Sequence, residues 1–285
     1  IGNNKSDLTI IKHSYIGEKQ LLSFKFKNKI YKFETGLIGK LQIKNLLMSI
    51  LAANKSNISM NKIIRKIKNI KSVNGRLEKI GKIKNNSIVI LDYAHTPEAL
   101  KTCLASIKDQ FKLRKISIIF GCGGDRDKPK RKIMGKIAND FCDKIYLTDD
   151  NPRSENPKKI RSQIKKYIKK NKLIEIPSRK DAIARSILES NSGDVLLVAG
   201  KGHEDYQEYL KKYKFSDKKC ILKNIKIKNK FLFNNWKSNI INDYLKKTKL
   251  KSFETNDASI NSKNIKKNNI FFGIKGKKND GNKYA

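Results

Sequence analysis

Between residues 87 and 199 the chain repeats a short apolar run, a polar loop and a longer stretch with helical spacing. The apolar runs lack the alternation of a half-exposed strand, so each predicts a strand covered on both faces. Three of the helical stretches carry Pro in the first turn, where its missing N–H costs nothing. The pattern predicts an α/β fold with a Rossmann-like, doubly wound, mostly parallel sheet. The predicted strands are 87–91, 116–120, 144–147 and 195–199, with a weaker one at 173–176, and the predicted helices begin near Pro97, Pro129, Pro157 and Arg179.

The sequence on either side of this region has a different pattern. Before about residue 74 it predicts a Lys-rich hairpin, 21–26 and 29–34, followed by helices at 41–54 and 59–69. After about residue 224 a Lys- and Asn-rich segment leads to a short apolar run and ends at Ala285, and it is too short for a core of its own. We therefore predict three parts, residues 1–74, 75–225 and 226–285.

The formal net charge of +39 favours a nucleic-acid-binding function, because clustered Lys and Arg neutralise phosphates. The excess is mostly Lys and is spread along the whole chain together with many Ile and Asn residues, which indicates solvated helix faces. No base-reading motif accompanies it. We expect no nucleic-acid partner, and a basic nucleic-acid-binding protein is the alternative.

Cysteine spacing and hydropathy restrict the class of protein further. The four cysteines form no C-x-x-C pair, which argues against structural zinc and a disulfide framework, so no metal-ligating residue is assigned. No apolar run approaches the roughly 20 residues needed to span a bilayer, and the start carries no signal-peptide pattern. We expect a soluble, cytoplasmic protein, and the opening residue Ile1 indicates a fragment of a longer chain.

The most informative loop is 149–153, with the sequence DDNPR, at the end of a predicted strand. In an open α/β sheet ligands bind at the carboxyl ends of the strands. Arg153 offers a planar fork for a carboxylate or phosphate, Asp150 can accept from an ammonium, and Pro152 stiffens the loop. An amino acid, which is both cation and anion, suits this loop. The alternative is a polar turn with a helix cap.

Three other loops at the same predicted edge carry groups of the same kind. Asp92 could hold ribose hydroxyls and His95 could stack on a base, or Asp92 could cap the next helix. In 121–128, three glycines could let the backbone approach a ligand, and the flanking acids could hold Arg126 in place. Glu204, beside two glycines, could bind an ammonium or lie at a helix N-terminus. The four loops together predict one composite site.

A third interpretation is a phosphate-transfer enzyme with four aspartates around magnesium. These are Asp125, Asp127, Asp149 and Asp150. This interpretation accounts for the carboxylates but gives Arg126 and Arg153 no role.

Five motifs resemble those of the Mur ligases. They are NGRLE at 74–78, LDYAHTP at 91–97, FGCGGDRDK at 120–128, TDDNPR at 148–153 and VAGKGHEDYQ at 198–207. The resemblance covers about residues 35–225, and it places 1–74 at the end of the family's central ATP-binding domain and 75–225 in its C-terminal, amino-acid-binding domain. It implies an ATP-dependent ligase of peptidoglycan synthesis that forms a C–N bond. The implied reaction joins meso-2,6-diaminopimelate to UDP-N-acetylmuramoyl-L-alanyl-D-glutamate through an acyl phosphate.

The resemblance also implies roles for individual residues. In this family the DNPR sequence marks members that use diaminopimelate rather than lysine, which lacks the distal carboxylate. The implied ATP-binding residues are Asn45 near the adenine, Arg76 at the phosphates and Asp92 at the ribose, together with His95. The implied diaminopimelate-binding residues are Arg126, Asp150, Asn151, Pro152, Arg153, Gly200 and Glu204. Two positions depart from the family pattern, because Asn74 stands where Pro is usual and Lys218 follows the 215–217 FSD motif where Arg is usual.

The sequence contains no G-x-x-x-x-G-K-[ST] motif. The resemblance implies that the P-loop, the Mg²⁺ ligands and a carbamylated lysine lie upstream of Ile1. No catalytic residue is therefore assigned, and we expect the 285-residue chain alone not to catalyse ligation. We expect a monomer whose partners are ATP, the UDP-sugar dipeptide and diaminopimelate.

Residues 260–281 resemble the start of a Mur ligase N-terminal domain, with Asn-Ser-Lys where Asp-Ser-Arg is usual. This second resemblance implies a fusion to the member that adds D-alanyl-D-alanine, a MurF-like ligase. The alternative is an artefact that joins neighbouring reading frames.

Overall fold

The computed structural model describes residues 7–233, 257–259 and 269–271. Residues 1–225 form one compact unit and residues 226–285 a second. In the second unit, Asp257–Ser259 pairs in parallel with Asn269–Phe271. Apart from these two strands and residues 226–233, the predicted tail domain lies outside the described residues. The predicted boundary between residues 74 and 75 remains a prediction.

The chain begins with a three-stranded antiparallel sheet that packs against two helices. β1 (Leu8–Ile16), β2 (Lys19–Phe26) and β3 (Lys29–Thr35) pair in that order, and α1 (Lys40–Lys55) and α2 (Met60–Ile67) follow. The core between them includes fully buried Leu22, Phe24 and Leu47. The predicted hairpin and helices are present. β1 is a strand that the sequence pattern does not predict, because polar residues at 12–14 interrupt its apolar pattern.

A six-stranded sheet follows, in the order β4–β5–β9–β6–β7–β8. β4 is antiparallel to β5, and all other neighbours are parallel, which confirms the predicted mostly parallel α/β fold. β4 is an unpredicted edge strand whose short, Lys-rich sequence gives no strand signal. The strands are β4 (Glu78–Lys82), β5 (Ile88–Asp92), β6 (Ile116–Phe120), β7 (Lys144–Leu147), β8 (Leu173–Glu175) and β9 (Val195–Ala199).

Helices cover both faces of this sheet. α3 (Pro97–Gln110), α4 (Pro129–Phe141) and α5 (Pro157–Lys165) pack side by side. α6 (Arg179–Glu189) returns the chain from β8 to β9 and packs on β6, β7 and β9 from the other face, as right-handed crossovers require. The predicted starts of α3 to α6 are those of the structure. Three of these helices are capped by side chains that accept from a backbone N–H three residues on, namely Thr96, Asn156 and Ser178.

The strand order reverses where β9 lies between β5 and β6. Crossovers on opposite faces leave a crevice at the carboxyl ends of the strands beside such a reversal, and ligands bind there. All four predicted loops leave the sheet at this edge, after β5, β6, β7 and β9.

After β9 the chain forms a hairpin, β10 (Tyr206–Tyr209) and β11 (Lys211–Lys214), and then α7 (Asp217–Phe233). The alternative that Glu204 lies at a helix N-terminus is therefore wrong, because the segment that follows it is a strand. Within the described residues, no helix has both the length and the apolar character needed to cross a bilayer.

Candidate functional site

The carboxyl edge of the parallel strands contains a cavity of about 430 Å³ to which all four predicted loops contribute. We call it the edge cavity. Pro152 is the predicted diaminopimelate-binding residue that does not line it. The predicted residues that do are Arg126, Asp150, Asn151, Arg153, Gly200 and Glu204.

Glycines in the loop after β6 bring it against the loop after β7. Gly124 N donates to Asn151 O (2.9 Å), and a Cβ on Gly124 would lie 2.8 Å from the carbonyl carbon of Pro152. A Cβ on Gly121 would lie 3.0 Å from Asp150 N. The expectation that these glycines admit a ligand is thus corrected at Gly121 and Gly124, where they permit close contact between two loops.

Asp125 fixes this loop, and neither of the acids that flank Arg126, Asp125 and Asp127, forms an ion pair with it in the described part of the chain. Asp125 accepts hydrogen bonds from Ser154 N (3.0 Å) and Ser154 Oγ (2.8 Å). Buried Arg131 donates from two nitrogens to Glu155 (2.9 Å each), and this hydrogen bonding lowers the pKa of Glu155 to about 2. Arg126 is exposed and forms no ion pair with any described residue. Its guanidinium is therefore available to an anion in the edge cavity.

Both the backbone and the side chain of Arg153 are held by hydrogen bonds. Its backbone has φ +54°, in the left-handed region, and its N–H donates to Glu208 O (3.0 Å). Its side chain donates from Nη1 to Gly124 O (2.8 Å) and pairs through Nε with Glu208 Oε2 (3.2 Å). These contacts offset the backbone strain and hold a planar cation at the cavity wall before any ligand arrives.

Two of the carboxylates near the cavity are already satisfied by protein donors. Asp149 forms an ion pair with Arg161 and accepts from Tyr209 Oη (2.9 Å). Glu204 accepts from three donors at 3.2 to 3.3 Å, which are Tyr93 Oη, Asn151 Nδ2 and Lys201 Nζ. Asp149 therefore serves the structure, and Glu204 lines the cavity with much of its charge compensated.

Asp150 is the carboxylate with hydrogen-bonding capacity to spare. Within the described part of the chain its carboxylate oxygens accept no hydrogen bond, and their ion-pair partner is Arg179 Nη1 at 3.9 Å. Burial raises the pKa of Asp150, and the positive charges of Arg179 and Lys201 act against that rise. An ammonium in the edge cavity would find in Asp150 an acceptor that no protein donor occupies.

A second cavity, of about 510 Å³, contains three of the predicted ATP-binding residues, Asn45, Arg76 and Asp92. We call it the α1–α3 cavity, because those helices line it. Asp92 accepts from Leu77 N (2.7 Å) and Ala94 N (2.8 Å), so it fixes the loops at the cavity. Burial raises the pKa of Asp92, and these two hydrogen bonds lower it.

The remaining expectations for the loop after β5 are corrected in part. Asp92 does not cap α3, because Thr96 does. His95 lies in the edge cavity, not with the other three predicted ATP-binding residues, and its Nδ1 is 2.9 Å from Tyr93 O. The predicted role of His95 in ATP binding remains a prediction that its position does not favour.

Tyr93 connects the two cavities. The Arg76 guanidinium carbon lies 4.9 Å from the centroid of the Tyr93 ring, and Tyr93 Oη donates to Glu204 Oε1 (3.3 Å). Burial, followed by the neighbouring Glu204 charge, raises the pKa of Tyr93. The tyrosine is thus a neutral hydrogen-bond donor between the two sites.

The four aspartates of the phosphate-transfer interpretation are not gathered around one point. No group of three or more His, Cys, Asp or Glu side chains in the described ranges could hold a metal ion. Asp125 and Asp149 are held by separate partners, Ser154 and Arg161. The interpretation is therefore wrong for the described part of the chain. Cys122, which lines the edge cavity, has its pKa raised by burial to about 12 and is not a nucleophile at neutral pH.

Two buried cations near Asp150 are missing from the sequence-based prediction. Lys201 is fully buried and donates to Asn151 Oδ1 (2.9 Å) as well as to Glu204. Arg179 is fully buried and paired with Asp217. A lysine between two glycines after a buried strand is a usable signal for Lys201. No sequence signal identifies Arg179 as a buried residue, because a basic residue in the first turn of an amphipathic helix is normally solvated.

Comparison with known proteins relates this site to a family. Residues 75–202 match the family described as Mur ligase, glutamate ligase domain. The chain is 42% identical over 226 residues to the UDP-N-acetylmuramoyl-L-alanyl-D-glutamate–2,6-diaminopimelate ligase of Rickettsia rickettsii, a match that covers 78% of this chain and 46% of that protein. It is 45% identical over 189 residues to the protein of the same name from Rickettsia bellii, covering 66% of this chain and 39% of that protein.

A solved structure of a UDP-N-acetylmuramoyl-L-alanyl-D-glutamate–2,6-diaminopimelate ligase superposes with a TM-score of 0.63 at 29% identity, over 79% of this chain and 46% of that one. The chain thus spans about half the length of the relatives it matches. The matched residues include the three cavity loops after β5, β6 and β7 and Gly200 of the loop after β9, and Glu204 lies two residues beyond the match. Residues 75–202 match the glutamate ligase domain of the Mur ligases, and the chain belongs to the Mur ligase family.

Proposed function

We propose that the chain contributes the amino-acid site of a MurE-type ligase, an ATP-dependent enzyme of peptidoglycan synthesis that adds meso-2,6-diaminopimelate to UDP-N-acetylmuramoyl-L-alanyl-D-glutamate. The observation that carries this proposal is the pairing of an unoccupied acceptor with available cations in the edge cavity. Asp150 accepts no hydrogen bond from described residues, while Arg126 and Arg153 line the same cavity. The names of the relatives supply the substrates.

The charge pattern of the cavity suits a molecule with an amino-acid group at each end. One ammonium of diaminopimelate would donate to Asp150, and the carboxylate on the same carbon would pair with Arg126 and Arg153. Lys130, half-buried at the start of α4, is a further cation at this wall. L-Lysine lacks the distal carboxylate and would leave Arg126, which has no ion pair among the described residues, without an anionic partner, which is how such a site rejects it.

The α1–α3 cavity is proposed to take ATP. Its volume is within the usual range for small-molecule sites, and exposed Arg76 supplies a cation for phosphates while Asn45 supplies an amide for the base. Bound ATP would supply the phosphoryl group that activates the substrate carboxylate. Mg²⁺ is proposed with it, bound by residues other than those described here. A cytoplasmic location and a monomeric state belong to the same proposal.

Titration calorimetry of the 285-residue chain with meso-diaminopimelate and with L-lysine tests the substrate. We expect diaminopimelate to bind at least about tenfold more tightly, because one desolvated charge pair is worth 1.4 kcal/mol or more. Equal affinities would contradict the proposed substrate.

Arg126→Ala provides a sharper test, because this side chain is exposed and carries no ion pair within the described residues. Diaminopimelate affinity should fall about tenfold while the melting temperature stays within about 1 °C of the wild type. Arg65→Ala, at an exposed position on α2 that does not line the edge cavity, is the matched control. An unchanged affinity in Arg126→Ala would remove this residue from the site.

The alternative from composition, a basic nucleic-acid-binding protein, has the net charge of +39 in its favour. It predicts binding to DNA that weakens steeply between about 50 and 200 mM salt. Such binding, together with no preference for diaminopimelate over lysine, would favour the alternative.

A further inference from the structure

We infer that Arg179 and Asp217, neither of which lines the edge cavity, are positioning residues that hold Asp150 as the ammonium acceptor of the amino-acid site. The inference rests on the proposed function for the identity of the ligand. It rests on the structure for the contact between the three side chains.

Arg179 is held from behind and leaves one nitrogen beside Asp150. Its Nε and Nη2 donate to the two oxygens of Asp217 at 2.8 and 2.7 Å, and Nη2 also donates to Ala199 O (2.9 Å). The third nitrogen, Nη1, is buried and has no hydrogen-bond partner among the described residues. It lies 3.9 Å from Asp150 Oδ2. A buried donor without a partner is costly, so its position beside a carboxylate that also lacks hydrogen bonds indicates a role for that carboxylate.

The backbone leaves Asp150 little freedom to move from this position. A Cβ on Gly200 would come within 3.7 Å of the Asp150 carboxyl carbon, so the carboxylate packs directly on the Gly200 backbone. Gly200 has φ +116°, a conformation that side-chain-bearing residues rarely adopt. Gly200 and Arg179 thus both lie beside Asp150 Oδ2 and together restrict where the carboxylate can lie.

Asp217 gives the FSD motif at 215–217 a physical role. It is fully buried at the start of α7, and its partner Arg179 is fully buried at the start of α6. The next residue, Lys218, donates to Glu78 Oε1 (2.6 Å), and Glu78 accepts from Gly75 N (2.8 Å) beside Arg76. The start of α7 therefore supports the edge cavity through Asp217 and the loop of Arg76 through Lys218.

The two positioning residues, Arg179 and Asp217, have opposite effects on the pKa of Asp150. Arg179 and Lys201 lower the pKa of Asp150, whereas Asp217 and Glu204 raise it, and burial raises it most. Cys122 faces Asp150 from the loop after β6, and its pKa is raised to about 12 by burial, so it stays neutral near pH 7. A change that merely loosened this region would admit water to Asp150 and lower its pKa whichever residue was altered.

The experiment measures the pKa of the Asp150 carboxyl group by ¹³C NMR in the 285-residue chain, with Asp150→Asn to assign the resonance. Arg179→Gln should raise this pKa and Asp217→Asn should lower it. Both should weaken meso-diaminopimelate binding about tenfold, the first because Asp150 loses the cation that positions it and the second by freeing Arg179 to compete for it. Arg179→Lys, which keeps the charge, should restore most of the affinity, and Arg185→Gln on the exposed face of α6 is the control.

Opposite shifts of the Asp150 pKa support the inference. Shifts of the same sign, or shifts no larger than in Arg185→Gln, overturn it. If Arg179→Gln does not fold, the comparison of Asp217→Asn with Arg179→Lys decides, and a raised pKa in Asp217→Asn overturns the inference. If the wild-type chain binds no diaminopimelate while the shifts are opposite, the proposed substrate fails and the pairing of Arg179 with Asp150 stands.

Discussion

Arg153 contributes to stability in opposite ways through its backbone and its side chain, so replacements there separate ligand binding from folding. The φ of +54° costs a side-chain-bearing residue about 1 kcal/mol relative to Gly. The hydrogen bond from Nη1 to Gly124 O (2.8 Å) contributes about 1.5 kcal/mol. The ion pair with Glu208, whose side chains are each 25% exposed, adds about 0.5 kcal/mol. Arg153→Ala should therefore lower the free energy of unfolding by about 2 kcal/mol, and Arg153→Gly by about 1 kcal/mol.

Both variants lose the same ligand contact although they differ in stability. Diaminopimelate affinity should fall between about tenfold and 100-fold in each, the value of one charge-assisted pair. Nucleotide affinity at the α1–α3 cavity should change by less than about threefold, because Arg153 does not line that cavity. Urea unfolding gives the stabilities, and calorimetry with diaminopimelate and with ADP gives the affinities.

Two results would refute this reasoning about Arg153. The first is an equal loss of diaminopimelate and ADP binding, which would mean that the loop supports the whole domain and selects no substrate. The second is a diaminopimelate affinity that follows stability, so that it is higher in Arg153→Gly than in Arg153→Ala. If Arg153 contacts the ligand directly, both variants lack the same contact and their affinities should be equal.

Three further predictions concern other positions. Gly124→Ala should lower the free energy of unfolding by roughly 2 kcal/mol or more in urea, because the new Cβ would lie 2.8 Å from the Pro152 carbonyl carbon. Gly36→Ala, at a glycine with ordinary φ and no atom within 4 Å of the added Cβ, is the control for the Gly-to-Ala change itself. Arg76→Ala should weaken ADP binding about tenfold by calorimetry and leave diaminopimelate affinity within about threefold of the wild type. The reverse pattern would mean that the two ligands bind in the opposite cavities. The stabilising contribution of Glu155, whose pKa falls from 4.5 to about 2, is fully present above pH 4.5 and is lost as the pH falls towards 2. Glu155→Gln should therefore reduce stability at pH 7 and flatten its loss between pH 4.5 and 2; a profile identical to the wild type would contradict the pairing with Arg131.

The parallel sheet could be predicted from the sequence because its strands are apolar on both faces and its helices begin at Pro or cap residues. β6, β7 and β9 begin and end where the pattern predicts. β4 and β11 could not be predicted, because each is four or five residues long, rich in Lys, and held by its neighbour rather than by its own sequence. Residue period alone carries no signal for such edge strands.

Most residues of the site could be predicted from the sequence, but the role of each residue could not. The motifs place the carboxylates of Asp149, Asp150 and Glu204 at one edge of the sheet. Only the structure shows that Asp149 forms an ion pair with Arg161 and that Lys201 balances the charge of Glu204. Such partners come from elements up to 111 residues away along the chain, as in the hydrogen bond from Tyr93 Oη to Glu204, and no local pattern specifies them. Arg179 and Asp217, 38 residues apart, are the clearest example.

The position of β9 makes this site a late product of chain synthesis. β5 and β6 each pair with β9 and not with each other, so the sheet between them stays open until residues 195–199 arrive. Contacts of such sequence separation form slowly, and a nascent chain that ends earlier exposes two apolar strand edges to aggregation. The same late segment brings Gly200, Lys201 and Glu204. Completion of the parallel sheet and acquisition of the amino-acid cavity are therefore a single event during synthesis, and no form of this domain with a closed sheet should exist that lacks the cavity.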